Sequence, residues 1–154
     1  MAEPKKILFV CTGNTCRSPM AQGISEDMAN KKGLDIVVKS AGIYALDGEN
    51  VSTNAIKALK EHNMDISNHR ARIVHRDLVE EADLILTMGK SHKEILISKY
   101  DFIQNKIYTL NEYVYGVEKD IIDPFGGNIK VYNNTKYELY NAIEKLVEKL
   151  MKGE

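Results

Sequence analysis

The stretch Ile7-Leu8-Phe9-Val10-Cys11-Thr12-Gly13-Asn14-Thr15-Cys16-Arg17-Ser18-Pro19 decides how this chain is read. Four apolar residues run into a cysteine, a short polar loop follows, and Arg17-Ser18-Pro19 opens a helical pattern. A run this short, apolar and bounded predicts a strand over Lys5–Val10, buried on both faces. Proline loses no needed donor at the first helical position, so Ser18 is expected to cap a helix that begins at Pro19.

A thiol attacks as thiolate, and cationic neighbours and helix N-termini lower cysteine pKa values to roughly 3.5–7.5. Cys11 is expected to have both influences and a lowered pKa. The amides of Thr12 to Arg17, with the free N–H groups of the helix start, form a concavity suited to an anion. Gly13 is expected to supply the sharp bend. Arg17 is a cation beside the positive end of a helix, which is unfavourable unless an anion or the thiolate lies there. Its planar fork holds two phosphoryl oxygens at once. The alternative is a buried strand-end cysteine with an arginine turned to solvent. The order strand, cysteine, five residues, Arg-Ser-Pro, helix argues against it. The set points to a phosphatase that passes through a cysteinyl-phosphate.

Length and composition narrow the rest. The 154 residues suit one domain, 1–154, with one sizeable core. A formal net charge of -1 gives no sign of a nucleic-acid or membrane-surface partner. Ile7–Val10 is too short for a signal peptide, and no stretch reaches membrane-spanning length. A cytoplasmic protein is expected. The two cysteines, Cys11 and Cys16, build neither a disulfide framework nor a zinc site, and no metal or organic cofactor is implied. A reversible disulfide between them is one reading; Cys16 filling space under the loop is the other.

Strand and helix patterns alternate along the chain. Met1–Pro4 reads as a loose terminus. A helix over Pro19–Lys32 turns Met20, Ile24 and Met28 inward and stops at Gly33. Strands are expected over Asp35–Lys39, Asp83–Met88 and Lys106–Leu110. Helices are expected over Ser52–Asn63, Asp77–Glu81, Ser91–Tyr100, Asn111–Tyr115 and Val131–Lys152, the last with Leu139, Ile143, Leu146 and Leu150 on one face. Tyr44–Glu49 is a loop expected to wall one side of the pocket, and Gly116–Lys130 a long loop of the kind that carries function. The alternation predicts an α/β sandwich on a parallel sheet. Ligands in such sheets bind beyond the carboxyl ends of the strands at a switch point, and Cys11 leaves such an end.

Once Cys11 attacks phosphorus, the leaving group needs a proton, and a carboxylic acid on a loop is a natural donor. Asp123 precedes Pro124, which holds it extended. From spacing alone, Asp123 reads equally as that acid and as a solvated aspartate opening a turn. Asp120 is the competing acid.

Cys11–Pro19 together with Asp123-Pro124 resembles the low-molecular-weight protein tyrosine phosphatases. The resemblance runs from Lys5 to about Leu150 and includes Ser40-Ala41-Gly42, Ser67-Asn68-His69-Arg70-Ala71-Arg72 and Ala82-Asp83-Leu84-Ile85-Leu86-Thr87-Met88. It implies Cys11 as nucleophile, Arg17 as phosphate clamp and Asp123 as general acid. It also implies Asn14 as keeper of the loop's shape, and a Ser18 hydroxyl that stabilises the leaving thiolate. The implied fold is a three-layer sandwich around a four-stranded parallel sheet, order 2-1-3-4. Within the family the chain is most similar to the bacterial protein-arginine phosphatases. Thr15 stands where tyrosine-specific members commonly carry isoleucine or leucine. Asp123-Pro124-Phe125-Gly126-Gly127 replaces the Asp-Pro-Tyr-Tyr of eukaryotic members. Thr12 and Tyr108–Tyr113 also resemble that branch.

The substrate-binding set is thus Thr12, Gly13, Asn14, Thr15, Cys16, Ser18 and Phe125. Thr15 would orient the guanidinium or the attacking water, or else only fill space. Phe125 would pack on the substrate stem, or else be a buried loop residue. The expected substrates are phosphorylated proteins, phosphoarginine first and phosphotyrosine second, acted on by a monomer. An arsenate reductase needs relay cysteines that this chain lacks beyond Cys16, and a non-hydrolytic phosphocysteine carrier needs no acid. His69 is expected to brace the loop, and His62, His75 and His92 to be surface or helix-end residues. Arg70, Arg72, Arg76 and His75 read as a solvated basic cluster or a dock for acidic substrates. Tyr132, Tyr137 and Tyr140 read as exposed tyrosines along the last helix.

Overall fold

A computed structural model describes residues 5–153; the expected loose terminus Met1–Pro4 lies outside them. The apolar run forms strand β1 (Lys6–Cys11), which has β2 (Val37–Gly42) on one side and β3 (Leu84–Thr87) on the other. β4 (Ile107–Thr109) follows β3, and all neighbours are parallel, in the order β2-β1-β3-β4. Helices α1 (Arg17–Lys32), α2 (Thr53–Lys60), α5 (Leu110–Tyr115) and α6 (Ile129–Met151) serve one apolar cluster. α3 (Arg76–Glu81), α4 (Lys90–Lys99) and a single 3-10 turn, Asp101–Ile103, serve the other.

The two clusters follow from the period of two in a strand. Ile7, Phe9 and Cys11 point into the first cluster, and Leu8 and Val10 into the second. A strand covered on both faces carries no polar alternation, which is why Ile7–Val10 is apolar throughout. Phe9 and Val10 are wholly enclosed, and each such side chain contributes about 1.5–3 kcal/mol by leaving water. Met20, Ile24 and Met28 pack in the first cluster as their spacing predicts.

Several boundaries move, for local reasons. α1 starts at Arg17, with Cys16 as its flanking residue and Met20 N–H donating to Cys16 O. Ser18 is therefore inside the first turn and is not the cap, and Pro19 is tolerated because first-turn N–H groups have no helical partner. β2 begins at Val37, not Asp35, and continues through Ser40-Ala41-Gly42, because β1 carries its pairing on as far as Cys11 beside Gly42. α2 ends at Lys60, not Asn63; Asn63 is in the left-handed region (φ 61°), where a helix cannot continue. α6 starts at Ile129, before the expected Val131, because Asn128 Oδ1 accepts from Val131 N–H. Among the described residues, no helix is long and apolar enough to cross a membrane.

The chain leaves β1 toward β2 and later returns past β1 to β3. The carboxyl end of β1 is therefore the switch point of this sheet, and the loop after Cys11 occupies it.

Candidate active site

Cys11 closes β1 with its sulfur buried at the loop's base. Its Sγ is 2.8 Å from Ser18 Oγ and accepts the Asn14 N–H at 3.2 Å. Asn14 Nδ2 donates to the same Ser18 oxygen at 2.8 Å. The Ser18 proton is thereby left to point at the sulfur, the arrangement that steadies a thiolate. Burial nevertheless pushes the Cys11 thiol above its ordinary value, against the pull of Ser18, the Asn14 N–H and the Arg17 guanidinium. The lowered pKa expected from the loop's charges is overturned in this resting site: full enclosure outweighs them.

The bend belongs to Asn14, with φ 58°, and not to Gly13. Asn14 is completely buried and uses every polar atom of its amide. Nδ2 also donates to Ser40 Oγ at 3.0 Å, while Oδ1 accepts the Arg72 N–H and pairs with His69 Nε2, each at 3.1 Å. Since Oδ1 only accepts, His69 carries its proton on Nε2. Burial, with Arg72 and Arg70 adding to it, lowers the His69 pKa despite the Asn14 contact. The expected brace is thus a neutral imidazole. Gly42 passes directly behind the loop: a Cβ there would lie 2.6 Å from Thr12 O and 2.9 Å from Asn14 N. Only a residue without a side chain fits that approach.

Across the loop, Arg17 Nη1 donates to Ile121 O at 2.9 Å, and Nη2 lies 3.6 Å from Asp123 Oδ2. Asp123 Oδ1 accepts the Phe125 N–H at 3.1 Å, so the turn after Pro124 aims the carboxylate. The long loop is held from the sheet. Ile121 is buried, and its N–H donates to Met88 O beyond β3. Asp120 Oδ1 accepts the Lys90 N–H at 2.8 Å and caps α4. That bond gives Asp120 a structural partner, and Asp123 is the acid of the loop that meets Arg17.

His92 is the residue the sequence reading missed. It lies at a helix end, in the first turn of α4, but is buried and not a surface residue, and its Nε2 lies 2.9 Å from Thr12 Oγ1. Burial, reinforced by Arg17 and opposed by Asp120 and Asp123, pulls its pKa down to about 4. Its place five residues beyond the end of β3 carries no motif; only the fold brings α4 to the loop. Tyr132 is likewise buried, against the expectation of an exposed residue. Its hydroxyl accepts from Ser52 Oγ at 3.0 Å and lies 3.2 Å from Cys16 Sγ. Both cysteines are free thiols.

These groups surround a pocket of about 260 Å³ lined by Cys11, Thr15, Arg17, Glu49, Asp123 and Phe125, with Thr12, Gly13 and Cys16 completing it. Of the Tyr44–Glu49 loop only Glu49 reaches it. Phe125 is 78 % exposed, so it is not a buried loop residue. Each arginine of the expected basic cluster has a partner: Arg72 Nε donates to Ser40 O, Arg70 to Ser67 O and His69 O, and Arg76 pairs with Glu80.

Residues 6–154 match the family described as low molecular weight phosphotyrosine protein phosphatase. The chain is 41% identical over 146 residues to the protein-arginine-phosphatase of Bacillus subtilis (strain 168), covering 95% of this chain and 97% of that one. The solved YwlE arginine phosphatase from Geobacillus stearothermophilus superposes with a TM-score of 0.91 at 40% identity, covering 97% of this chain and 94% of that one. The low molecular weight protein tyrosine phosphatase from T. tengcongensis also gives 0.91, at 46% identity, covering 94% of this chain and 99% of that one. Matched nearly end to end in sequence and in fold, the chain belongs to the low molecular weight phosphotyrosine protein phosphatase family.

Proposed function

We propose that this protein removes phosphate from arginine side chains of proteins through a cysteinyl-phosphate. Tyrosine phosphate is the second substrate. One observation carries the reading: Cys11, Arg17, Thr15 and Asp123 all line a single pocket.

Arg17 and the loop amides take the phosphoryl oxygens, the Cys11 thiol proton passes to an oxygen of the incoming phosphoryl dianion, and the thiolate so formed, held by the Ser18 hydroxyl and the Asn14 N–H, attacks phosphorus from below. The S–P bond forms as the P–N bond breaks, and the Asp123 carboxyl gives its proton to the departing guanidino nitrogen. In the resting site the Asp123 carboxylate faces Arg17 at 3.6 Å. A bound phosphoryl group takes over that guanidinium and leaves the Asp123 carboxyl to face the departing nitrogen. In the second step Asp123 accepts a proton from water, water oxygen attacks phosphorus, and the sulfur leaves as thiolate under the Ser18 hydroxyl. Asn14 and His69 keep the loop's shape, and Thr12, Gly13 and Cys16 build its wall.

The arginine preference rests on Thr15 and Phe125. A guanidinium carries N–H donors that a phenol lacks, and the Thr15 hydroxyl and Asp123 are acceptors in its path. The exposed Phe125 ring gives the substrate stem an apolar face. Overall identity does not separate the substrates, since relatives named for each lie at similar distance. We take residues 1–154 as one catalytic domain, acting as a monomer in the cytoplasm, where thiols remain reduced.

The deciding experiment compares kcat/KM on matched phosphoarginine and phosphotyrosine peptides. The parent should favour phosphoarginine, and Thr15→Ile should move the ratio toward phosphotyrosine. A parent that favours phosphotyrosine, or a ratio unmoved by Thr15→Ile, contradicts the arginine assignment.

A further inference from the structure

A second hollow, about 470 Å³, opens beside the phosphate pocket. Thr15, Cys16, Glu49 and Phe125 line both. Asn50, Ser52, Gly126 and Tyr132 complete the second.

Glu49 is the informative residue. Its backbone is tied on both sides: Ala71 N–H donates to Glu49 O at 2.9 Å, and Glu49 N–H donates to Leu46 O at 3.1 Å. Asn50 bridges to Arg70, and Ser52 N–H donates to Thr15 O at 2.9 Å, which joins this segment to the phosphate loop itself. The side chain is exposed and takes part in no ion pair among the described residues. A carboxylate carried on this tied backbone at the mouth of a phosphate trap repels an arriving dianion. The arrangement is favourable only if the ligand also brings a positive charge. Opposite, the Phe125 ring is 78 % exposed, and an aromatic face attracts a guanidinium or ammonium. At the side, the Ser52 and Tyr132 hydroxyls, 3.0 Å apart, offer further oxygen atoms.

We propose that this hollow binds the cationic side chain of an arginine or lysine flanking the phosphorylated residue of the substrate protein. The phosphorylated side chain descends to Cys11, and a neighbouring residue of the same chain reaches the hollow that shares its wall. The proposal rests on a phosphoprotein substrate but not on the arginine preference.

The test is a flank series, made once with phosphoarginine and once with phosphotyrosine, placing Arg, Ala or Glu beside the phosphorylated residue. The Arg flank should raise kcat/KM about fivefold over Ala, mainly through KM, and the Glu flank should lower it. In Glu49→Gln the Arg-to-Ala ratio should fall to near one. An Arg-to-Ala ratio of one in the parent, or a ratio kept by Glu49→Gln, overturns the proposal. Failure of the arginine assignment shows instead as faster turnover of the whole phosphotyrosine series, within which the flank ratio is still read. Should neither series turn over, dissociation constants measured on Cys11→Ser read the same ratio.

Discussion

Single residues set the electrostatics of the loop, and His92 shows how. Its pKa in the folded protein, about 4, lies below its ordinary 6.5. Between those values the unfolded chain binds more protons than the folded one, so stability rises with pH across that window and is lost as pH falls through it. Melting temperature should therefore climb less steeply from pH 4 to 6.5 in His92→Gln than in the parent. Equal slopes would mean that His92 is not held neutral against Thr12. That Cys11 and Arg17 share one pocket was readable from sequence, because a strand end, a short loop and a helix start bring the two ends of that loop together. Asp123 was half readable: its proline gave a direction, but its approach to Arg17 depends on Ile121 anchoring the loop to the end of β3. His92 carried no local signal at all. Nor did the exchange of roles between Gly13 and Asn14, since asparagine tolerates the left-handed region well enough to replace glycine there.

Elements position these residues through close approach more than through regular geometry. β2 runs three residues past its expected end because β1 pairs with it as far as Gly42, and the phosphate loop lies against that glycine. Gly42→Ala would push its methyl into the backbone at Thr12 O and Asn14 N, 2.6 and 2.9 Å away, and backbone has no rotamer with which to yield. The loop must shift, and a shift of about 1 Å in a reacting group is worth on the order of 10²-fold. Gly42→Ala should therefore lower kcat/KM by roughly that factor while circular dichroism still reports a folded α/β protein. Full activity in a folded Gly42→Ala would show that the loop has room to spare. Strand and helix types were readable from periodicity, whereas their ends were not. The ends answer to partners distant in sequence, such as the β1 pairing that prolongs β2. Others answer to single side-chain bonds, such as the Asn128 cap of α6.

At the scale of the whole molecule, the order β2-β1-β3-β4 puts the most apolar strand in the interior of the sheet and its carboxyl end at the switch point. The architecture was readable because a strand covered on both faces leaves an unbroken apolar run, and helices between strands leave few alternatives to a parallel sheet. The same topology brings three distant segments to one pocket: the loop after β1, Glu49, and the turn that carries Asp123 and Phe125. Under the proposed function, phosphate passes through a bond to Cys11 sulfur. The most direct measurement uses Asp123→Ala with an aryl phosphate whose leaving group needs no acid, quenched during turnover and mapped by mass spectrometry. Loss of the carboxylate slows the water step by roughly 10²–10⁴. One phosphoryl group should then accumulate on the peptide carrying Cys11, and on none in Asp123→Ala combined with Cys11→Ala. Phosphate released with no adduct on Cys11, or an adduct on another residue, would contradict the account.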